Sequence, residues 1–248
     1  MRSGQSSETL KHRALHLLFP AQCLGCAARV QDDGCLCGEC WRQTPFVLGL
    51  ACDACGAPMI GDAADAPQTC DACRAARRPW VQGRAVMLYR DMARKLVLGL
   101  KHGDRLDLVP AMAGWMARSA RPLLTDHTLV APVPAHWTRM FRRRYNQAAV
   151  LGNALARNVG RPVCPDLLTR LRRTETQDGK SPEARTANLS GAIGVSPRHA
   201  DRIAGRDVLI VDDVMTTGAT FAACAQACLD AGAREVRVIA LARVARDG

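Results

Sequence analysis

Two stretches of this 248-residue chain combine residue types and spacings that can do chemistry. The first is a field of cysteines containing four Cys-x-x-Cys pairs: Cys23/Cys26, Cys37/Cys40, Cys52/Cys55 and Cys70/Cys73. Two residues between thiolates form a tight knuckle that presents both sulfurs to one tetrahedral ion, and two knuckles complete a four-thiolate site. Pairing in chain order gives two zinc ribbons, 23/26 with 37/40 and 52/55 with 70/73. An interleaved pairing, or one metal with a degenerate second site, satisfies the same spacing, so the expectation is one or two Zn²⁺ ions. A site closed by four thiolates leaves no coordination position for a reactant, so its zinc is structural. Cys35 is a spare thiol.

The second stretch is VLIVDDVMTTGAT, residues 208–220. Val208 to Val211 read as a strand buried on both faces, which places Asp212 and Asp213 at its carboxyl end. Adjacent carboxylates repel, and burying them for stability alone is unfavourable; they call for cations or hydroxyl donors. Thr216, Thr217, Gly218 and Thr220 then form a turn into a helix, where free backbone N–H groups, hydroxyls and the helix dipole converge on a point suited to a phosphate. A plain helix cap accounts for one threonine and leaves the rest of the run unexplained. Carboxylates for sugar hydroxyls beside a phosphate cradle describe a 5-phosphoribosyl group.

The elements that must position these residues follow from periodicity. AVMLYR (85–90), TLVAPVP (128–134), DVLIVDD (207–213) and EVRVIALARV (235–244) read as strands. The stretches 90–102, 106–120, 146–160 and 220–233 read as helices. Strands separated by helices imply an α/β fold with a parallel, doubly wound sheet, in which ligands collect at the carboxyl ends of strands. Three units result: an N-terminal helix over 1–20 with Leu10, Ala14, Leu17 and Leu18 at helical spacing, a zinc-ribbon domain over 21–77, and an α/β domain over 84–248. AARRPW (75–80) reads as the linker between the last two. Cys164, Cys224 and Cys228 lack Cys-x-x-Cys partners and read as core, as do Trp115 and Met116.

Thirty-four Lys and Arg against 23 Asp and Glu leave a net charge of +11, which suits an anionic partner such as a sugar phosphate, polyphosphate or nucleic acid. A solvated basic surface fits the charge equally well. Aromatic residues make up only 4%, so a grip on nucleic acid would be mainly ionic. The opening MRSGQSSETLKHR has no apolar region of a secretory signal, and no segment approaches the ~18 uninterrupted apolar residues of a membrane span. The expectation is a cytoplasmic protein, where thiols stay reduced and cysteine pairs hold metal rather than form disulfides.

All residues of 208–220 match the phosphoribosyl-diphosphate (PRPP) binding signature of type I phosphoribosyltransferases. With the cysteine-rich N-terminus, LKHGD (100–104), APVP (131–134), RRRYNQ (142–147), TETQDGKSPEAR (174–185) and the closing LAR (241–243), the chain resembles the ComF family of competence proteins over nearly its whole length. The resemblance implies a type I phosphoribosyltransferase fold behind a double zinc ribbon, PRPP or a related sugar phosphate as ligand, Mg²⁺ bound with it, and an association with DNA uptake in natural transformation. Carried over residue by residue, it makes Asp212 and Asp213 the pair that holds the ribose hydroxyls, and Met215, Thr216, Thr217, Gly218, Ala219 and Thr220 the 5-phosphate loop. Lys101, Arg139, Arg143, Asn146 and Gln147 match the pyrophosphate side. Gln177, Ser181 and Arg185 match the flexible loop that closes over the sugar. Arg144 stands where the motif has glycine, Lys180 where it has leucine and His102 where it has an aromatic residue, which adds positive charge to that side. The implied reaction is displacement at C1 of the ribose, with pyrophosphate leaving and an acceptor that no residue names, its pocket coming from 84–125 or the zinc module. Two alternatives use the same site without turnover: handling of single-stranded DNA and sensing of PRPP.

Overall fold

The computed structural model describes residues 20–61, 66–102, 104–135, 145–172, 189 and 191–244. The helix expected over 1–20 lies outside them. Six strands are described: β1 (Gln82–Leu88), β2 (Thr128–Pro132), β3 (Leu168–Arg170), β4 (Ile193–Val195), β5 (Asp207–Met215) and β6 (Glu235–Arg243). β1, β6, β5 and β2, in that order, form one all-parallel sheet, and β3 and β4 pair separately as an antiparallel hairpin. The helices are α1 (Gly38–Arg42), α2 (Asp71–Ala75), α3 (Asp91–His102), α4 (Val109–Ala120), α5 (Gln147–Val159), α6 (Ala200–Ile203) and α7 (Ala219–Asp230).

β5 and β6 are near-continuous apolar runs because both sheet faces are covered. Leu209 and Val211 point to the side of α3, α4 and α5, packing with Leu100, Met116 and Leu155. Val208 and Ile210 point to the side of α7, with Phe221 and Cys224. Period-2 alternation carries this division forward to the acid pair: Asp213 shares the face of Leu209 and Val211, and Asp212 that of Val208 and Ile210. Cys164, Cys224, Cys228 and Met116 are buried as expected. Trp115 is only partly buried and meets Phe46 edge-on at 5.3 Å.

Each ribbon is built the same way. Its first cysteine pair sits in a turn closed by an antiparallel bridge, Gln22 with Arg29 and Ala51 with Pro58. Its second pair starts a one-turn helix, Cys37 capping α1 and Cys70 capping α2. The first ribbon contributes Cys23, Leu24 and Cys40 to the core on the α3/α4 side, and the second contributes Cys52, Cys55 and Cys73 on the α7 side. The connection between them runs along the edge strand β1, where Val47 N donates to Val86 O and Leu88 N to Pro45 O, both at 2.9 Å. A sheet edge that would otherwise expose unpaired backbone groups is thereby covered.

The β3–β4 hairpin was not expected from the sequence, because three-residue strands are too short to display a period. AARRPW is not a free linker either. Trp80 is buried, and its indole N–H donates to Ala54 O at 2.5 Å, locking the segment onto the second ribbon.

Candidate functional site

β5 continues through the acid pair to Met215, so Asp212 and Asp213 are strand residues and not the start of a loop. Their backbones are held by pairing with β6, which fixes where the carboxylates point. Asp213 is 8% exposed, and its Oδ1 lies 3.0 Å from the Nζ of Lys101 at the last turn of α3. Asp212 Oδ1 accepts the backbone N–H of Asp213 at 2.8 Å. Two adjacent negative charges are thus tolerated because one faces a cation and the other a peptide dipole. Lys101, expected on the pyrophosphate side, contacts the acid pair through Asp213 in this structure.

The turn after β5 brings the chain into α7. Gly218 caps the helix with φ +85°, a left-handed conformation that side chains rarely adopt. Thr217 Oγ1 accepts the N–H of Ala219 at 3.3 Å, Thr216 is exposed, and Thr220 lies in the first helical turn. The positive end of a twelve-residue helix therefore opens beside the carboxylates of the strand it follows. That combination accommodates an anion and the hydroxyls of the molecule that carries it. Met215, expected in the same loop, turns its side chain inward, where its sulfur lies 3.0 Å from Nη1 of buried Arg243.

No local sequence signal marks what supports the turn. Arg78 reaches across from the supposed linker, its Nη1 donating to Thr217 O at 3.1 Å and its guanidinium lying 5.5 Å from the ring centre of Trp80. A Cβ at Gly218 would stand 3.2 Å from the Trp80 ring and 3.5 Å from Arg78 Nη1. Arg243 also donates to Cys55 O at 3.2 Å, so a knuckle of the second ribbon and the end of β5 share one guanidinium. A lone Arg-Pro-Trp stretch carries no periodic signal, and only the chain's return to the sheet brings it to the site.

Of the remaining expected residues, Asn146 and Gln147 open α5. Asn146 caps the helix, accepting from Ala148 N at 3.1 Å and donating to Val133 O at 3.0 Å, so its amide is engaged by backbone. Gln147 is buried, and its Nε2 has no hydrogen-bond partner among the described residues. Neighbouring Tyr145 donates its hydroxyl to Leu100 O at 2.9 Å, tying this segment to the end of α3. Arg139, Arg143, Gln177 and Arg185 lie outside the described residues.

The eight paired cysteines gather in chain order. Cys23, Cys26, Cys37 and Cys40 form one group and Cys52, Cys55, Cys70 and Cys73 the other, with the sulfurs of each within 4.8 Å of one another. Cys26 and Cys37 sulfurs are 3.7 Å apart, as are those of Cys55 and Cys70. A tetrahedral ion with Zn–S bonds of ~2.3 Å puts neighbouring sulfurs about 3.8 Å apart, so both groups fit zinc. Backbone N–H groups donate to the sulfurs, Cys37 N to Cys23 at 3.1 Å and Cys70 N to Cys52 at 3.3 Å, which favours thiolate. The hydrogen bond between Cys55 and Cys52 pulls the Cys52 thiol down to about 4 and pushes that of Cys55 up. The interleaved and single-metal alternatives drop out, and exposed Cys35 stays outside both groups.

Known proteins agree with this architecture. The double zinc ribbon domain model matches residues 14–77, and the phosphoribosyl transferase domain model matches residues 146–247. DNA utilization protein YhgH of Salmonella typhimurium is 33% identical over 214 residues, 84% of this chain and 90% of that one. Competence protein F of Haemophilus influenzae is 27% identical over 91% of this chain and 98% of its own, and competence protein ComFC of Bacillus subtilis is 27% identical over 92% and 87%. The chain belongs to the ComF family. Its parallel α/β domain is a phosphoribosyltransferase fold, and the cysteine-rich region of this ComF-family member is a double zinc ribbon. No helix among the described residues is long and apolar enough to cross a membrane.

Proposed function

We propose that this chain binds PRPP with Mg²⁺ at the carboxyl end of β5 and serves DNA uptake through that site. One observation carries the reading: a doubled carboxylate held in the strand beside a left-handed glycine turn and the N-terminus of α7. Asp212 and Asp213 would take the ribose hydroxyls. Backbone N–H groups and hydroxyls of 216–220 would take the 5-phosphate. Lys101 occupies Asp213 in the free protein and would be released toward the diphosphate as the sugar arrives. Mg²⁺, when bound, would neutralise the diphosphate and ease its departure from C1.

The relatives' names, DNA utilization and competence proteins, support placing this chemistry next to DNA, and the net charge of +11 is compatible with that. Two readings follow from one site. As an enzyme, the chain transfers phosphoribosyl to an acceptor with release of pyrophosphate. As a non-catalytic protein, it couples the ligand to single-stranded DNA.

The shared premise is tested by thermal unfolding with PRPP and Mg²⁺. At about 100 times the dissociation constant, a ligand bound only by the native state contributes ~2.7 kcal/mol. For a chain of this size that is a midpoint shift of roughly 5–10 °C. The shift should vanish in the Asp212→Asn/Asp213→Asn double variant. An unmoved midpoint at millimolar PRPP would remove the foundation of both readings. Pyrophosphate release with candidate acceptors separates the enzyme from the binder. Affinity for a DNA oligomer that falls steeply with salt supports the DNA arm, and a flat dependence removes it.

A further inference from the structure

A third set of ligating side chains converges away from the acid pair and both ribbons. The sulfur of Cys164, a carboxylate oxygen of Asp166 and an imidazole nitrogen of His199 lie within 4.8 Å of one another. Asp166 Oδ1 is 2.9 Å from His199 Nε2 and 3.8 Å from Cys164 Sγ. With bonds of ~2.3 Å to sulfur and ~2.0 Å to nitrogen and oxygen, a tetrahedral ion holds such donors about 3.3–3.5 Å apart. The observed spacings bracket those values, so an ion fits after shifts of a few tenths of an ångström.

A simple Asp–His ion pair beside a buried thiol is the rival account, and the geometry weighs against it. Despite the 2.9 Å separation, His199 Nε2 is buried without a hydrogen-bond partner among the described residues. The ring N–H position is therefore not aligned on the carboxylate, as expected when nitrogen and oxygen both face a common point rather than each other. The buried Cys164 thiol faces the same point, its Sγ 3.8 Å from Asp166 Oδ1. Burial pushes the Cys164 thiol up, and the nearby Arg202 guanidinium opposes this. Arg202 Nη1 lies 3.3 Å from Cys164 Sγ and its Nη2 3.4 Å from Val163 O, the outer hydrogen bonding that supports a thiolate ligand.

The position in the fold gives such an ion something to do. Cys164 and Asp166 immediately precede β3, and His199 ends the single 3₁₀ turn that follows β4. The hairpin they flank has three residue pairs, too few for a two-stranded ribbon to be stable on its own. We propose that Cys164, Asp166 and His199 form a third metal site, taking Zn²⁺ or a similar borderline divalent ion, that clamps the base of the β3–β4 hairpin. A thiolate, a carboxylate and a neutral imidazole balance the dication, and three protein ligands leave one position for water. The ion enters from the side of Asp166, whose side chain is 67% exposed.

The test is a metal count on the full chain. Wild-type protein and the His199→Gln and Asp166→Asn variants are loaded with Co²⁺ at a buffered free concentration, filtered free of excess ion and analysed for cobalt per chain. The site predicts three equivalents in the wild type and two in each variant. The wild-type minus His199→Gln difference spectrum should carry d–d bands with the weak charge-transfer absorption of a single thiolate. Asp166→Asn is made on the open side of the cluster, and both substitutions leave buried Cys164 in place, so the ribbons' two equivalents report that the fold is intact. Two equivalents in the wild type, or three retained in the variants, would overturn the proposal.

Discussion

Asp207 and Asp213 lie on one face of one strand, and each is almost fully buried. Their partners differ. Asp207, at the start of β5, accepts from Arg234 Nε and Nη2 at 2.8 and 2.7 Å and from Thr125 Oγ1 at 2.5 Å, with Arg237 3.3 Å away. Asp213, at the far end, faces one lysine among the described residues. A carboxylate held by three hydrogen bonds and a second guanidinium is a staple, whereas one paired with a single ammonium among the described residues keeps acceptor capacity. Hydrogen bonding from Arg234, reinforced by Thr125, holds the Asp207 carboxyl down at about 2 against burial. Its pKa is depressed on folding, so its contribution is present in full above the unfolded value of ~3.9 and is lost as pH falls through about 2. A shift of that size corresponds to about 2–3 kcal/mol. Urea unfolding of wild type and Asp207→Asn should therefore differ most at pH 7 and converge toward pH 2. The ribbons' thiolates protonate in both proteins, so the difference between the two curves isolates Asp207. Curves that stay parallel down to pH 2 would show that the cluster adds nothing.

At the scale of elements, the turn from β5 to α7 decides the geometry of the site, and Gly218 decides the turn. Gly218→Ala must hold φ near +85° and bring a methyl group to 3.2 Å from the Trp80 ring. The left-handed conformation alone costs about 1–2 kcal/mol. The expected outcome is a melting midpoint lower by roughly 3–8 °C and a loss of the PRPP-induced shift. A variant that melts and binds as the wild type does would mean that the turn relaxes freely. This turn was legible in the sequence because its glycine, hydroxyls and acids stand in one contiguous run after an apolar strand. The cysteine knuckles were legible for the same reason, since their chemistry depends on spacing within a few residues. What was not legible is contact made at long range. Nothing local distinguishes Arg78 and Trp80 from a solvated linker, and nothing joins Asp166 to His199 before the hairpin has folded back between them. Asn146, which the resemblance puts on the pyrophosphate side, has its side chain on the start of α5, a capping role that Asn before a helix readily fills.

At the scale of the whole molecule, the zinc module is not an appendage. Its first ribbon joins the core on one side of the sheet, its second joins on the other, and the segment between them seals the edge of β1. The coupling to the site is unequal. The second ribbon meets the β5–α7 turn through Trp80 and Arg78, and the end of β5 through Arg243. The first ribbon instead meets α3 and its neighbours, with Lys95 Nζ donating to Gly25 O at 2.7 Å. Loss of zinc from the second ribbon should therefore loosen the turn, and loss from the first should spare it. Cys70→Ser and Cys26→Ser make the comparison, because neither residue is fully buried and each removes one thiolate from one group. Each variant should hold one zinc fewer in the ribbons. Cys70→Ser should also lose most of the PRPP-induced thermal shift, while Cys26→Ser keeps most of it at a lower starting midpoint. Equal losses in the two variants would mean that zinc supports the fold only as a whole, and a full shift in Cys70→Ser would mean that the guanidinium and indole beneath Gly218 hold the turn without their metal.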